Sequence, residues 1–472
     1  MIGIIGAGMS GLFVARALAR NGHQVTLFEA DVPPPDEDAN GTFLDWQRNG
    51  VAQFRQPHAA RAAIYRALSE RDPELLQAMV DEGMSPWKFH LLAIQDPEVP
   101  HDPELVGMLG RRPTLEVPLR RVTENTPGVT IVRTPVKGVH VERVGERARA
   151  TGIVTAAGVQ RFDTVIDASG RRSKILDWLA AAGVPRPAEE TSECGIVYYS
   201  RYFRFLPGVE VPRGLYPSGP SASLPSVHFT MNRTDHRTFS LMLGVAPWRD
   251  EFKTLRHEAV YMDFVRQLPD ANKWIDPAIS EPIWRVEPFA GLVNRYRRFA
   301  VDGKPLVDDL YVIGDARFHT NPIYGWGMSF AMHLGFVLAD AFAAHADPRA
   351  RQASFEAQAD AYARRYYEAT TLEDAARQEL WHGERPASDR GEPGSYRYFL
   401  TTVMPAVFKD QWIFRKVTRR IHLLDEPSAI LHDEETLRRA DRIGARNSDA
   451  YTEAQLLAMA HASAQRHMAA SA

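Results

Sequence analysis

Gly6, Gly8 and Gly11, in the order Gly6-Ala-Gly8-Met9-Ser10-Gly11, stand between the apolar run 2–5 and a segment, 9–20, whose Leu12, Ala15 and Leu18 share one helical face. A GxGxxG pattern alone is weak, but between a strand and a helix it is a cradle for a pyrophosphate. Gly6 permits the tight turn, Gly8 lets the backbone approach the phosphates, and Gly11 lets helix and strand come close. The helix start offers the free N–H groups of Met9 and Ser10 and a partial positive charge. Glu29, which closes the next apolar run and precedes Ala30, can accept hydrogen bonds from ribose hydroxyls, and an acid there disfavours a 2′-phosphate. This spacing leaves open which dinucleotide is held.

A second glycine loop lies far downstream. In Tyr311-Val-Ile-Gly314-Asp315-Ala-Arg-Phe-His-Thr-Asn-Pro322-Ile-Tyr-Gly325-Trp-Gly327-Met328-Ser329-Phe-Ala331, a strand ends in Gly-Asp, an extended stretch passes through Pro322, and Gly-x-Gly opens a helix. With both loops, the chain resembles the FAD-dependent monooxygenases of the aromatic-hydroxylase fold, over roughly residues 1–345. The resemblance implies FAD, with Gly314 and Asp315 at the ribityl chain. It also implies that Pro322, Gly325 and Gly327 border the isoalloxazine ring, and that Met328 and Ser329 present N–H groups to its N1–C2=O edge. A helix N-terminus there stabilises the negative charge of the reduced ring. Arg112-Pro-Thr-Leu-Glu-Val-Pro-Leu119 resembles the family helix whose arginine contacts the flavin, with Arg111 competing for that role. Val136 occupies the position whose backbone meets adenine in the family. Beyond this ring environment no catalytic residue is assigned.

The middle motif departs from the family pattern. Asp167-Ala-Ser169-Gly170-Arg-Arg-Ser173 stands where aromatic hydroxylases carry Asp-Gly, a pair associated with FAD and NAD(P)H. This form, with Asn321-Pro-Ile-Tyr-Gly-x-Gly-Met-Ser, is similar to the bacterial natural-product epoxidase and styrene monooxygenase-like branch. The resemblance then implies transfer of one oxygen atom of O2, through a flavin C4a-hydroperoxide, to an electron-rich hydrophobic alkene or aromatic. Epoxidation and hydroxylation both fit, within secondary metabolism. Reducing equivalents come from NAD(P)H directly or through a flavin reductase. Only one strand–GxGxxG–helix unit is present, which favours the reductase. The alternatives are a FAD-dependent reductase or dehydrogenase, a flavin halogenase, and a non-catalytic flavin-binding module. No Trp-x-Trp-x-Ile-Pro segment supports halogenation: Trp46, Trp87, Trp178 and Trp284 stand apart.

Periodicity supplies the elements that must position these groups. Strand, helix and strand over 2–5, 9–20 and 24–29 predict a parallel sheet with a right-handed crossover. Residues 31–40 read as a loop, 59–83 as mostly helical, 96–102 as a Pro-containing connection, 114–122 as a helix, 128–169 as β-rich, and 164–168 as a buried strand. Aromatic antiparallel strands are expected at 197–205, 226–231 and 238–245, with a helix at 256–267. A strand follows at 309–313, then a helix at 328–345, and mostly helices beyond, broken by a polar loop at 382–395. The fold class is therefore α/β. It comprises a discontinuous Rossmann-type FAD-binding domain (1–85, 112–185 and 286–345), an inserted antiparallel-sheet substrate domain (86–111 with 190–285), and a helical C-terminal region (346–472).

Composition excludes several classes. The 56 Lys+Arg nearly balance the 59 Asp+Glu, for a net charge of −3 over 472 residues, which argues against nucleic acid as a partner. The single cysteine, Cys194, fits a reducing, cytoplasmic setting and reads as a small buried residue. No run of about 18 apolar residues is expected to span a membrane. His228 and His236 lack companions for a metal site, and none is expected. In the run Tyr198, Tyr199, Tyr202, Phe203 and Phe205, alternate side chains should pack while the others roof a cavity for a small hydrophobic substrate. Gln53, Arg55 and His58 lie in a loop similar to a flavin-proximal segment of the branch. Arg415–Arg420 reads as a solvated face over Ile413, Val417 and Ile421, and the C-terminal helices could pair the chain as a homodimer.

Overall fold

The computed structural model describes residues 1–89, 99–212, 220–268, 270–384, 388–444 and 451–468. Residues 96–98 of the expected connection and 385–387 of the expected polar loop lie outside the described residues.

A five-stranded parallel sheet carries the first glycine loop. Its order is Leu310–Val312, Thr164–Asp167, Ile2–Ile5, Val25–Glu29, Val129–Arg133. Ile2–Ile5 is central and buried throughout, as a parallel strand covered on both faces should be. Ile5 pairs with both Phe28 and Asp167, and Asp167 pairs with Val312. The chain therefore leaves the sheet at Gly6, Ala168 and Ile313 along one edge, the carboxyl ends of the strands, where ligands sit in open α/β sheets.

The helix Met9–Arg20 packs against Pro113–Glu124 and Gly327–Ala344. Phe13 meets Phe336 edge-on at 4.8 Å, and a Cβ at Gly335 would stand 2.6 Å from the Phe13 ring, so glycine there sets the approach of the two helices. Gly327–Ala344 corrects one expectation. It is 18 residues long and apolar enough to cross a membrane by length and composition, yet 72% of it is buried, inside the core between Met9–Arg20 and Pro348–His382.

The aromatic strand Val197–Phe205 lies within an antiparallel sheet with Thr238–Val245, Val227–Arg233 and Ser221–Leu224 on one side, and Ser280–Pro282 and Glu287–Phe289 on the other. The expected helix is Glu258–Val265. Contacts cross the expected domain boundaries at two places. Val106–Gly110 pairs with His58–Ala60 and Ser85–Lys88 in a separate three-stranded sheet, and Met108 joins the core around the parallel sheet rather than the aromatic one. The helix Glu453–Met468 packs on Glu258–Val265, with Leu456 and Ala460 in the aromatic-sheet core, so the C-terminal helices do not form one separate region. The helix Gln411–Ile421 buries Ile413 and Val417 as expected, but Arg420 is buried as well, paired with Glu373.

Candidate functional site

Three positions of the first loop have different physical demands. Gly6 has φ +95°, and a Cβ there would meet the Ala168 carbonyl at 2.8 Å. A Cβ at Gly11 would stand 1.9 Å from the Gly6 carbonyl oxygen. The protein's own backbone demands both. Gly8 is extended, at φ −86° and ψ −170°, and its nearest neighbour to an added Cβ is Arg48 Nη2 at 3.7 Å. Nothing among the described residues requires glycine at position 8. It leaves open space on that side of the turn.

That space belongs to a cavity of about 410 Å³. Gly6, Gly8, Met9, Ser10, Glu29 and Ala30 line it from the first loop, Arg112 and Val136 from its flank, and Asp315, Pro322, Gly325, Gly327 and Met328 from the second loop. Gly11, Gly314 and Ser329 stand behind this wall. Gly314 is left-handed, at φ +60°, and a Cβ there would meet Ser10 Oγ at 2.2 Å, so the two glycine loops interlock. Ser329 is buried, and its Oγ accepts the Arg61 backbone N–H at 3.1 Å.

The donors and acceptors fit a flavin dinucleotide. Two helices, Met9–Arg20 and Gly327–Ala344, begin at the cavity without a side-chain cap or an acidic residue in the first turn. Their first N–H groups have no partner within the helix and favour anionic atoms. Asp315 accepts no side-chain hydrogen bond among the described residues. Burial pushes its carboxyl up, while Arg112 and Arg171 pull against that. Asp315 is half-buried at the cavity wall, and an acceptor there that the protein leaves without a donor is open to ligand hydroxyls, which a ribityl chain would supply.

The arginine competition has a geometric outcome. Arg111 turns away, its backbone N–H and Nε donating to Asp235 at 2.7 and 2.9 Å, on the turn before Thr238–Val245. Arg112 lines the cavity, and its Nε donates to Glu116 at 2.5 Å. Sequence reasoning missed Arg48, which no motif marks. It also lines the cavity, within 3.2 Å of Glu29, 2.8 Å of Asp31 and 2.9 Å of Glu116. Glu29 accepts the N–H groups of Ala7 and Asp31, both at 2.9 Å, so Arg48 and the backbone orient the expected ribose acceptor. Burial opposes ionisation of Glu116, but Arg112 and Arg48 overcome it and hold its carboxyl at about 2.

A consequence can be measured. Arg48→Met should destabilise the protein by about 3 kcal/mol at neutral pH, because it strands buried carboxylates. Glu116 has a depressed folded pKa, so its stabilisation is present above its unfolded pKa and is lost as pH falls towards about 2. The gap between native and Arg48→Met melting temperatures should therefore narrow on acidification below pH ~4.5. A gap independent of pH would remove Glu116 from the account.

The middle motif also has a physical reason. Asp167 accepts the Ser169 N–H at 3.0 Å and the hydroxyls of Ser169 and Ser173, both at 2.5 Å. The acid that precedes Gly170 by three thus ties down the turn from within. Ser169, Gly170, Arg171 and Lys174 reach the cavity.

Gln53 and His58 line the cavity, but Arg55 does not: it lies over the Trp284 ring at 4.1 Å and donates to the Phe43 and Leu44 carbonyls. His58 Nδ1 faces the Gln56 carbonyl at 2.7 Å; a carbonyl only accepts, so Nδ1 carries the proton and Nε2 is an acceptor. Burial, helped by Arg112, pushes this imidazole down to about 3. The aromatic strand alternates as expected, with Tyr199, Phe203 and Phe205 in the core. The other face does not roof the cavity. Tyr202 donates to the Gln56 carbonyl at 3.2 Å, and Tyr198 to Asn321 Oδ1. Phe289, from the neighbouring strand, is the aromatic of this sheet that lines it, alongside Phe28, Trp178 and Trp326 from elsewhere. Among the described residues no group of three or more His, Cys, Asp or Glu could hold a metal; His228 pairs with Ser223 and His236 with Asp235.

Residues 1–125 match the family model described as FAD dependent oxidoreductase. Protein Rv3254 of Mycobacterium tuberculosis is 29% identical over 351 residues, covering 69% of each chain. The probable FAD-dependent monooxygenase PqsL of Pseudomonas aeruginosa superimposes with a TM-score of 0.59 at 16% identity, over 81% of this chain and 98% of its own. The p-nitrophenol 4-monooxygenase PnpA of Pseudomonas putida does so with a TM-score of 0.57 at 16% identity, over 95% and 98%. The chain shares the fold of these flavoenzymes.

Proposed function

We propose that this FAD-dependent oxidoreductase is a monooxygenase acting on an electron-rich, hydrophobic alkene or aromatic. One observation carries the reading: the two uncapped helix starts and the undonated carboxylate of Asp315 face a single cavity whose far wall includes Phe289 of the aromatic sheet. When bound, the flavin supplies reducing power and activation of O2. The chain supplies the rest. Gly8 and the helix start at Met9 receive the pyrophosphate, Glu29 takes the ribose, and Asp315 takes the ribityl hydroxyls. The N–H groups at the start of Gly327–Ala344, those of Met328 and Ser329 among them, would stabilise negative charge that develops on a ring bound there. Ser200 Oγ donates to Gln56 Oε1 at 2.6 Å, and with the Tyr202–Gln56 and Tyr198–Asn321 bonds this fastens the aromatic sheet to two residues of the cavity wall. Oxygen transfer to an electron-rich double bond needs no protein base, which suits a cavity whose His58 stays neutral.

The test is oxygen uptake by purified, yellow protein supplied with reduced flavin, with and without halide. Substrate-dependent, halide-independent uptake supports the reading. Flavin turnover without oxygen incorporation favours a reductase or dehydrogenase.

We further infer that a separate flavin reductase supplies the electrons. The described C-terminal helices carry no second phosphate-binding glycine loop, and the middle motif spends its acid on Ser169 and Ser173. In stopped flow, NADH or NADPH should bleach the bound flavin slowly whether or not substrate is present. Rapid bleaching, accelerated by substrate and without added reductase, would overturn this.

A further inference from the structure

Asn321 opens the turn that leads to Pro322, Gly325 and Gly327, and it has no polar atom to spare. Its N–H donates to Asn294 Oδ1 at 2.7 Å, and its Nδ2 donates to Asp374 Oδ1 at 2.7 Å. Its Oδ1 accepts the Tyr198 hydroxyl at 2.5 Å and the Ile323 N–H at 3.1 Å. Asp374 lies on the long helix Pro348–His382 and is fully buried. It also accepts from Asn294 Nδ2 at 2.8 Å and Arg377 Nη2 at 2.8 Å. Arg377 in turn donates to the carbonyls of Cys194 and Gly195, just ahead of the strand that carries Tyr198. The bonds form a closed ring: long helix, flavin turn, aromatic strand, and back to the helix.

A buried ion pair is a poor source of bulk stability, since apolar replacements often serve as well. A fully satisfied polar network instead selects one geometry. This one converges on the first residue of the cavity-lining turn, and four of its side chains, Tyr198, Asn294, Asp374 and Arg377, come from outside the FAD-binding loops.

We propose that Asp374 is a positioning residue for the flavin. Through Asn321 it sets the Pro322–Gly327 turn against the isoalloxazine ring and locks that turn to the aromatic strand. The inference rests on the flavin reading of the cavity. Tyr198 transmits the position of the aromatic sheet to the same turn.

The test compares native protein with Asp374→Asn, Tyr198→Phe, and the exchange Asn321→Asp/Asp374→Asn. The readouts are FAD dissociation constant, visible spectrum and reduction potential of the bound flavin, and melting temperatures with and without FAD. Asp374→Asn should weaken FAD about tenfold, the order expected when a buried hydrogen-bond partner is lost. It should also alter the visible band and make the potential more negative, because the helix start moves off the N1–C2=O edge. Tyr198→Phe should move the same quantities in the same direction, about threefold in affinity. The exchange should regain only part of the loss, since it restores the hydrogen bond between positions 321 and 374 but leaves Arg377 without its carboxylate. A merely structural role predicts lower melting temperatures with an unchanged flavin spectrum and potential, and that result overturns the proposal. If Asp374→Asn fails to fold, the Tyr198→Phe spectrum and potential decide it. Native protein that takes up no FAD at all would sink the cofactor reading itself, and this inference with it.

Discussion

Gly8→Val should yield a protein that folds and melts like the native apoprotein but binds no FAD, whereas Gly11→Val should disrupt the fold. The two glycines belong to one motif, yet their surroundings differ. At position 8 the backbone has an ordinary extended conformation, and an added Cβ meets only the end of the Arg48 side chain at 3.7 Å. A Cβ there therefore meets only the end of a flexible side chain, and the branched methyls of valine should obstruct the pyrophosphate rather than the fold. At position 11 a Cβ would lie 1.9 Å from the Gly6 carbonyl oxygen, backbone that cannot yield. Forcing the helix and strand apart there costs ~3 kcal/mol or more, and it displaces Gly6 with them. Circular dichroism, thermal melting and FAD titration separate the outcomes. A Gly8→Val protein with native FAD affinity would show that the phosphates lie elsewhere.

Asp315→Ala should weaken FAD by about 10- to 100-fold, the cost of leaving two ribityl hydroxyls without their acceptor. The same change should stabilise the apoprotein. Burial raises the Asp315 carboxyl pKa, and no described side chain donates to it, so its ionised form is a burden on the empty fold. For an acid with a raised folded pKa, the relative stabilisation is present below the unfolded pKa and disappears as pH rises through the folded pKa. The melting temperature of the Asp315→Ala apoprotein should thus exceed the native one at neutral pH, and the difference should shrink on acidification. Asp315→Ala protein that keeps full FAD occupancy, or an apoprotein less stable than native at neutral pH, contradicts this account.

Local signals in the sequence had local counterparts in the fold. The apolar runs 2–5, 24–29, 164–168 and 309–313 are strands because each is buried on both faces of the parallel sheet. The glycine loops were legible because strand, turn and helix lie within a few residues of one another. Partnerships across long separations were not. Arg48 sits in a loop without periodicity, and only the fold brings it to Glu29 and Glu116. The alternation of Val197–Phe205 separated its faces correctly but could not say that the Tyr198 and Tyr202 face meets Asn321 and Gln56 instead of open cavity. Likewise, an amphipathic pattern over Glu453–Met468 marks a buried stripe and does not name Glu258–Val265 as what covers it.

The parallel sheet also dictates an order of events during synthesis. Thr164–Asp167 gains its outer neighbour only when Leu310–Val312 has been made, after the whole aromatic sheet has intervened. A ribosome-bound chain that ends before Gly314 has the pyrophosphate cradle but neither the ribityl acceptor nor the ring-side helix start. Loading with flavin is therefore a late step. Until then the apolar flank of Met9–Arg20, which the finished protein covers with Gly327–Ala344, stays exposed. Long-range strand closure of this kind folds slowly and leaves hydrophobic intermediates. Yield in a heterologous host should consequently respond to chaperones and to flavin supply together.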